Sequence, residues 1–243
     1  GVIAPGRLAD LMALDLAQID LAQLARFANL DTIGLRNLAG TLVARIDLAT
    51  QGATQGALVA GLDGTAEIVV RNGAMVYQPA GAAPLALTGL GFESWFGGFD
   101  ADARAVGSAV LNGRQVRFEQ RMSGMASAAE GGTVPVFFSF ESEPATARFE
   151  GRANPMAATG AGNVSVSVPS VRAALDWLAQ PAMDLPVDRV RFEGGVAVSA
   201  NAVEMSEATF AFDDLTGSGS LALSLAAVPS ASGNLSFGVI DLD

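Results

Sequence analysis

The chain has 243 residues, half of them apolar, with 28 glycines, 7% aromatic residues and 16% charged ones. That is enough for one large β domain or two smaller modules with a real core, and too apolar for a disordered chain. The net charge is −11 and the basic residues are all arginines standing singly, so nucleic acid and anionic membrane surfaces, which need clustered positive charge, are excluded as expected partners.

From the N-terminus, Leu8–Leu16 and Leu21–Phe27 repeat leucine at three- and four-residue intervals. This predicts one or two short amphipathic helices with Asp20 as an N-cap, a strand over Leu14–Leu21 being the alternative. Gly40–Thr50 alternates through Leu42, Ala44, Ile46 and Leu48 and predicts a strand, and 55–62 a short helix or turn. Gly64–Arg71 is a second strand, and Asn72-Gly73 predicts a type I′ hairpin turn. The stretch 79–84 (PAGAAP) is a linker candidate, dividing a module over residues 1–80 (helix plus β-hairpin) from a β-meander module over 81–243. In the second module, Leu85–Leu90 is followed by a Gly-aromatic loop at Gly91–Phe99. Asn112-Gly113 is a second hairpin turn between Ala101–Leu111 and Arg114–Arg121. Met125–Gly132 reads as a loop, and Thr133–Ser142, Ala145–Arg152 and Gly162–Val168 as strands.

Residues 169–180 (PSVRAALDWLAQ) predict a helix capped by Ser170 and stopped by Pro181. Strands then recur to the end, with turns at Ala200-Asn201, Thr216–Ser220 and Pro229–Gly233. Within them, Val190, Phe192, Val196, Val198, Phe210 and Phe212 occupy even positions, and Leu221, Leu223, Leu225, Leu235, Phe237 and Val239 odd ones. Side chains alternate along a strand, so this writes a sheet with one apolar face; the other face carries Arg189, Arg191, Glu193, Glu204 and Asp213. The expected fold class is mainly β with a few short helices: a long curved antiparallel meander forming an open β-groove, with a closed β-sandwich as the alternative.

Chemistry has few footholds. There is no cysteine and no histidine, which removes disulfides, thiolate nucleophiles, Cys/His metal sites and the commonest general base. Without histidine or lysine, serine lacks its usual activating partners. Gly217-Ser-Gly-Ser-Leu-Ala222 fits the G-x-G-x-x-A pattern, but it leads into an alternating strand rather than a helix and reads as a turn. Asp213-Asp214 and Asp241/Asp243 read as solvated strand ends, since nothing buries them together. Trp95 and Phe96 read as an aromatic anchor at a sheet end, or a lip over a groove. Asn163 and Asn234 head formal glycosylation sequons. No catalytic residue, metal or cofactor is expected. About three helical segments cannot cover some dozen strands, so the twelve alternating residues are the candidate lining of an acyl-chain groove.

The segments VSVSVPSVRAALDWLAQP, VRFEGGVAVSANAVEMSEATFAFDDLTGSGSLALSL and LSFGVIDLD resemble the AsmA family of Gram-negative envelope proteins. There a Pro-Ser-hydrophobic-Arg helix, here Pro169 to Arg172, precedes strands that end in a Leu-Asp-Leu-Asp-like signature. The block IDLAQLARF…LRNLAGTLVARIDLATQGATQGALVAGLDGTAEIVVRNGAMV resembles the recurrent helix–strand–hairpin block of the same family. It stands before the other block here, the reverse of the usual order. The resemblance covers about two thirds of the chain and rests on glycine and apolar patterns, with no catalytic residues to carry over. It implies a non-enzymatic periplasmic protein held at the inner membrane by an anchor outside these residues. It also implies phospholipid or other acyl chains as ligand and a role in outer-membrane assembly and lipid homeostasis, as in the TamB-related members. The competing expectation is a structural or adhesive secreted β module, such as an autotransporter-type passenger.

Overall fold

The computed structural model describes residues 8–23, 35–52, 63–78, 83–98, 101–180, 187–224 and 230–238. Thirteen strands follow in chain order: β1 (Leu8–Asp20), β2 (Leu35–Gly52), β3 (Asp63–Tyr77), β4 (Leu85–Phe96), β5 (Ala103–Leu111), β6 (Arg114–Met122), β7 (Val134–Ser142), β8 (Thr146–Asn154), β9 (Thr159–Val168), β10 (Val190–Ser199), β11 (Ala202–Phe212), β12 (Leu215–Ser224) and β13 (Ser230–Phe237). Each strand neighbours the next in a single sheet whose order is the order of the chain. The two end strands do not pair with each other, so the sheet is an open antiparallel meander, and no second sheet exists among the described residues to make a sandwich. Helix α1 (Met125–Ala129) and helix α2 (Val171–Trp177) interrupt it. Neither is long and apolar enough to cross a membrane.

Two compact units divide the chain, one of residues 1–112 with 119–127 and the other of 113–118 with 128–243. In the first unit, β2 aligns Leu42, Ala44 and Ile46 with Val70, Ile68 and Ala66 of β3, and these in turn meet Phe92, Ser94 and Phe96 of β4. Ala44, Val70 and Ala109 are buried on this side, while Arg45, Glu67, Glu93 and Arg104 occupy the other.

Several expectations give way here. The 8–16 segment is not helical but the first part of β1, with Leu14 opposite Ile46 and Leu16 opposite Ala44. Leu8, Leu14 and Leu16 satisfy period two as well as a helical spacing, and pairing with β2 decides for the strand. A helical turn begins at Leu21, where the Ala22 N–H donates to Asp20 Oδ1 at 2.8 Å; the rest of the 21–27 helix, and the 55–62 element, lie outside the described residues. Asn72-Gly73 is not a hairpin turn. Strand β3 runs through it, with Asn72 at φ 51° and a register shift against β4 between Val70 and Gly73. The positive φ makes a bulge rather than a reversal. A Cβ on Gly73 would stand 2.9 Å from Leu90 Cβ, so the position takes glycine for space as well.

Asn112 and Gly113 do form the expected two-residue turn, with φ 44° and 81°. The Asn112 side chain also accepts the Ala86 N–H at 2.8 Å, tying the turn to β4. The Gly-aromatic stretch is strand rather than loop as far as Phe96. Trp95 is not a buried anchor: it lies on the polar side, 51% exposed. The 125–132 loop contains α1, and the 79–84 linker falls mostly outside the described residues.

The second unit contains α2, which follows the expected boundaries closely. Ser170 Oγ accepts the Ala173 N–H at 3.2 Å and donates to Asp188 Oδ1 at 2.9 Å, so one hydroxyl caps the helix and fastens the chain entering β10. Trp177 is buried, its ring 6.2 Å from that of Phe140 on β7.

Candidate functional site

The site is the apolar face of the second unit, and strand register builds it. Val190 and Phe192 of β10 stand opposite Val168 and Val166 of β9 and opposite Phe212 and Phe210 of β11. Across β11 and β12, Met205 faces Leu221 and Val203 faces Leu223. Across β12 and β13, Gly217 faces Phe237 and Gly219 faces Leu235. Toward the start of the unit, Phe149 of β8 links Phe138 of β7 to Val164 of β9. One side therefore stays apolar from β7 to β13.

Ten of the twelve candidate residues share this face: Val190, Phe192, Val196, Val198, Phe210, Phe212, Leu221, Leu223, Leu235 and Phe237. Leu225 and Val239 lie outside the described residues. Sequence reasoning missed Val203 and Met205, which are odd-numbered in an otherwise even run. The cause is a bulge in β11: Glu207 has φ 49° and the register shifts between Met205 and Ala208, so parity changes mid-strand. It also passed over Val164, Val166 and Val168, and Phe138, Phe140 and Phe149. Their alternation is plain in the sequence, but only the strand register joins them to the same face.

The Gly217–Ala222 pattern is not a turn. All of it lies inside β12, and the reversal is at Asp213-Asp214 instead. This placement also rules out the nucleotide reading, which requires a helix to follow. Gly217 is needed for packing, since a Cβ there would meet the Phe237 ring at 2.5 Å. With no side chain in the way, Phe237 lies 6.3 Å from Phe212, two strands distant, and the series continues through Phe210 (6.3 Å) to Phe192 (5.3 Å). An aromatic row thus crosses β10 to β13.

This face is thinly covered. Half of the chain is apolar, yet only ten hydrophobic side chains are buried among the described residues, and of the candidate lining only Phe210 is one of them. Phe138, Val198, Leu235 and Phe237 are 36–46% exposed. Trp177 of α2 shields Phe140.

The opposite face is wet. It carries Arg191, Glu193 and Glu204, all exposed, and the serines of β12 and β13. A depression of about 560 Å³ on β11–β13 is lined by Glu204, Ser206, Ser220, Ser232 and Asn234 among others. The Asp213-Asp214 pair is structural. Asp213, at φ 53°, accepts the Arg189 N–H at 2.8 Å and the Asp188 N–H at 3.1 Å, and the Arg189 guanidinium reaches Asp214 at 3.2 Å. The backbone N–H groups of Arg189 and Asp188, with help from the Arg189 charge, hold the Asp213 carboxyl below its ordinary value of 3.8. Asp241 and Asp243 lie outside the described residues. No group of three or more metal-ligating side chains occurs among the described residues.

Compared with family models, curated proteins and solved structures, the chain matches none of them.

Proposed function

We propose that the apolar face of the second unit shelters lipid acyl chains, and that the protein is a non-enzymatic lipid-shielding or lipid-transfer element of a Gram-negative envelope. The observation that carries this is the seven-strand apolar face from β7 to β13, most of whose candidate lining stays outside the buried core among the described residues. Apolar surface of that extent usually marks a binding site in a protein that remains in water. Its chemistry suits an alkyl chain: valine, leucine and phenylalanine in rows, with charged groups confined to the other face. At roughly 25 cal/mol per Å², sheltering about 200 Å² of alkyl surface contributes about 5 kcal/mol.

The AsmA-like pattern of the Pro169–Arg172 helix and the strands after it extends the reading to a place. On it, the chain belongs to a periplasmic protein anchored at the inner membrane and acting in outer-membrane assembly and lipid homeostasis. The net charge of −11 fits a surface that does not adhere to anionic bilayers.

Native mass spectrometry of protein purified from a Gram-negative host tests this. Phospholipid should accompany the wild type and be depleted from Val198→Asp and Leu235→Asp, whose side chains are exposed enough for the variants to fold. Lipid-free wild-type protein, or equal lipid in all three, would overturn the proposal.

A further inference from the structure

The polar face of the first unit carries a second inference, independent of lipid binding. Trp95 of β4 sits on this face among charged side chains and is 51% exposed. Strand register sets Glu67 of β3 directly beside it on one side and Arg104 of β5 on the other. Two residues back along β4, Glu93 stands between Val69 and Val106 on the same face. A tryptophan seeking cover would lean on those two valines, because diagonal neighbours on a sheet lie within reach of a long aromatic side chain. Trp95 leans the other way. Its six-membered ring lies over Gly97, where an added Cβ would overlap Cη2 and Cζ2. The bare glycine leaves a bed for the ring, so the indole lies along β4 instead of standing up from the sheet.

The flanking groups complete the chemistry. Among the described residues, no hydrogen bond or ion pair engages the Trp95 indole N–H or the Glu67 carboxylate. Arg104 donates from Nε to Glu119 Oε1 at 3.1 Å, and its side chain is still 56% exposed. A guanidinium has five N–H donors, so Arg104 keeps several for a ligand. The ring therefore lies between an acceptor and a donor. A cation above it would be drawn to Glu67 and repelled by Arg104, and an anion would meet the reverse. A sugar hydroxyl both donates and accepts, so a neutral saccharide uses both flanks. The C–H face of its pyranose ring supplies the apolar surface that an indole packs against.

We infer that Trp95 is a carbohydrate-binding platform: a pyranose ring of a neutral saccharide stacks on its indole, with hydroxyls hydrogen-bonded to Glu67 and Arg104.

Titration of the protein with cellohexaose, maltohexaose and chitohexaose, followed by tryptophan fluorescence and saturation-transfer NMR, tests this. At least one of the three should bind with a Kd of about 1 mM or tighter and change the emission. The chain has two tryptophans, and Trp177 is buried in the second unit, so the responding fluorophore is Trp95. Trp95→Ala changes an exposed side chain and should keep its circular dichroism while weakening binding at least about tenfold. Gly97→Ala retains the indole but removes its bed, and should weaken binding about threefold or more. Tetramethylammonium chloride and sodium sulfate serve as cationic and anionic probes and should leave the emission of Trp95 unshifted. No saccharide bound at about 10 mM, binding unchanged in Trp95→Ala, or a charged probe bound more tightly than every saccharide would overturn the inference.

Discussion

Single residues set both the turns and the spacing of this sheet. Asp213 holds three backbone sites in place: its own positive φ, and the two N–H groups of Asp188 and Arg189. Because its pKa is lower in the folded chain than in the unfolded one, its stabilising contribution is complete above about pH 3.8 and is lost as pH falls through the depressed folded value. Asp213→Asn keeps one acceptor oxygen and tolerates the left-handed backbone, so thermal melts should show it losing less stability than wild type on acidification through about pH 4; parallel losses would contradict this. Gly151 and Gly162 face one another across β8 and β9, and a Cβ on Gly162 would lie 2.5 Å from Gly151 Cα. The obstacle is backbone, so neighbouring side chains cannot relieve it by turning aside. Gly162→Ala should cost about 1–3 kcal/mol in urea unfolding. The two Asn-Gly pairs mark the limit of local reading: both favour positive φ, but one reverses the chain and the other kinks a continuing strand. The difference lies in the partner, since Gly73 must fit against Leu90, and that fact is not local.

At the scale of elements, α2 was legible because its signals are local: Ser170 as cap, then an apolar stripe. Two substitutions separate what caps it from what docks it. Ser170→Ala should cost about 0.5–2 kcal/mol through the lost cap. Trp177→Ala should cost about 3–5 kcal/mol, because it opens a buried site against Phe140. Chemical denaturation of both variants gives the order, and a costlier Ser170→Ala would mean that the helix is not held by its tryptophan. Strand β1 was legible only in part. Leucines at positions 8, 11, 14 and 16 fit a helix until β2 supplies hydrogen bonds along the whole segment. Strand β11 hid two residues of the apolar face because Glu207 shifts the register, and nothing in an alternating pattern announces a bulge.

For the whole molecule, the open antiparallel meander was readable from strand spacing and the scarcity of helices. Among the described residues, the thinness of any covering layer was readable only as a shortage of helical segments. What alternation could not give was the extent of the apolar side, which reaches back through β9 and β8 to β7 because the register of each successive pair keeps the apolar residues on one face. What the sequence offered was an apolar surface rather than a constellation of reactive groups, and the described residues place ten of the twelve candidates on one face. Charges placed on that surface are expected to act unequally. Phe210→Asp should unfold the aromatic row, since Phe210 is 8% exposed and lies between Phe192 and Phe212. Leu235→Asp, at a side chain 46% exposed, should leave circular dichroism unchanged and lower ligand retention.

The most direct measurement is photo-cross-linking with a phospholipid that carries a photoreactive group in its acyl chain, with the attachment sites mapped by mass spectrometry. Attachment should fall on Phe192, Val198, Leu223, Leu235 and Phe237, and leave Glu193, Glu204, Ser218 and Ser220 unmodified. Label spread evenly over both faces, or none above that seen with denatured protein, would contradict an acyl-chain site on the apolar side of this sheet.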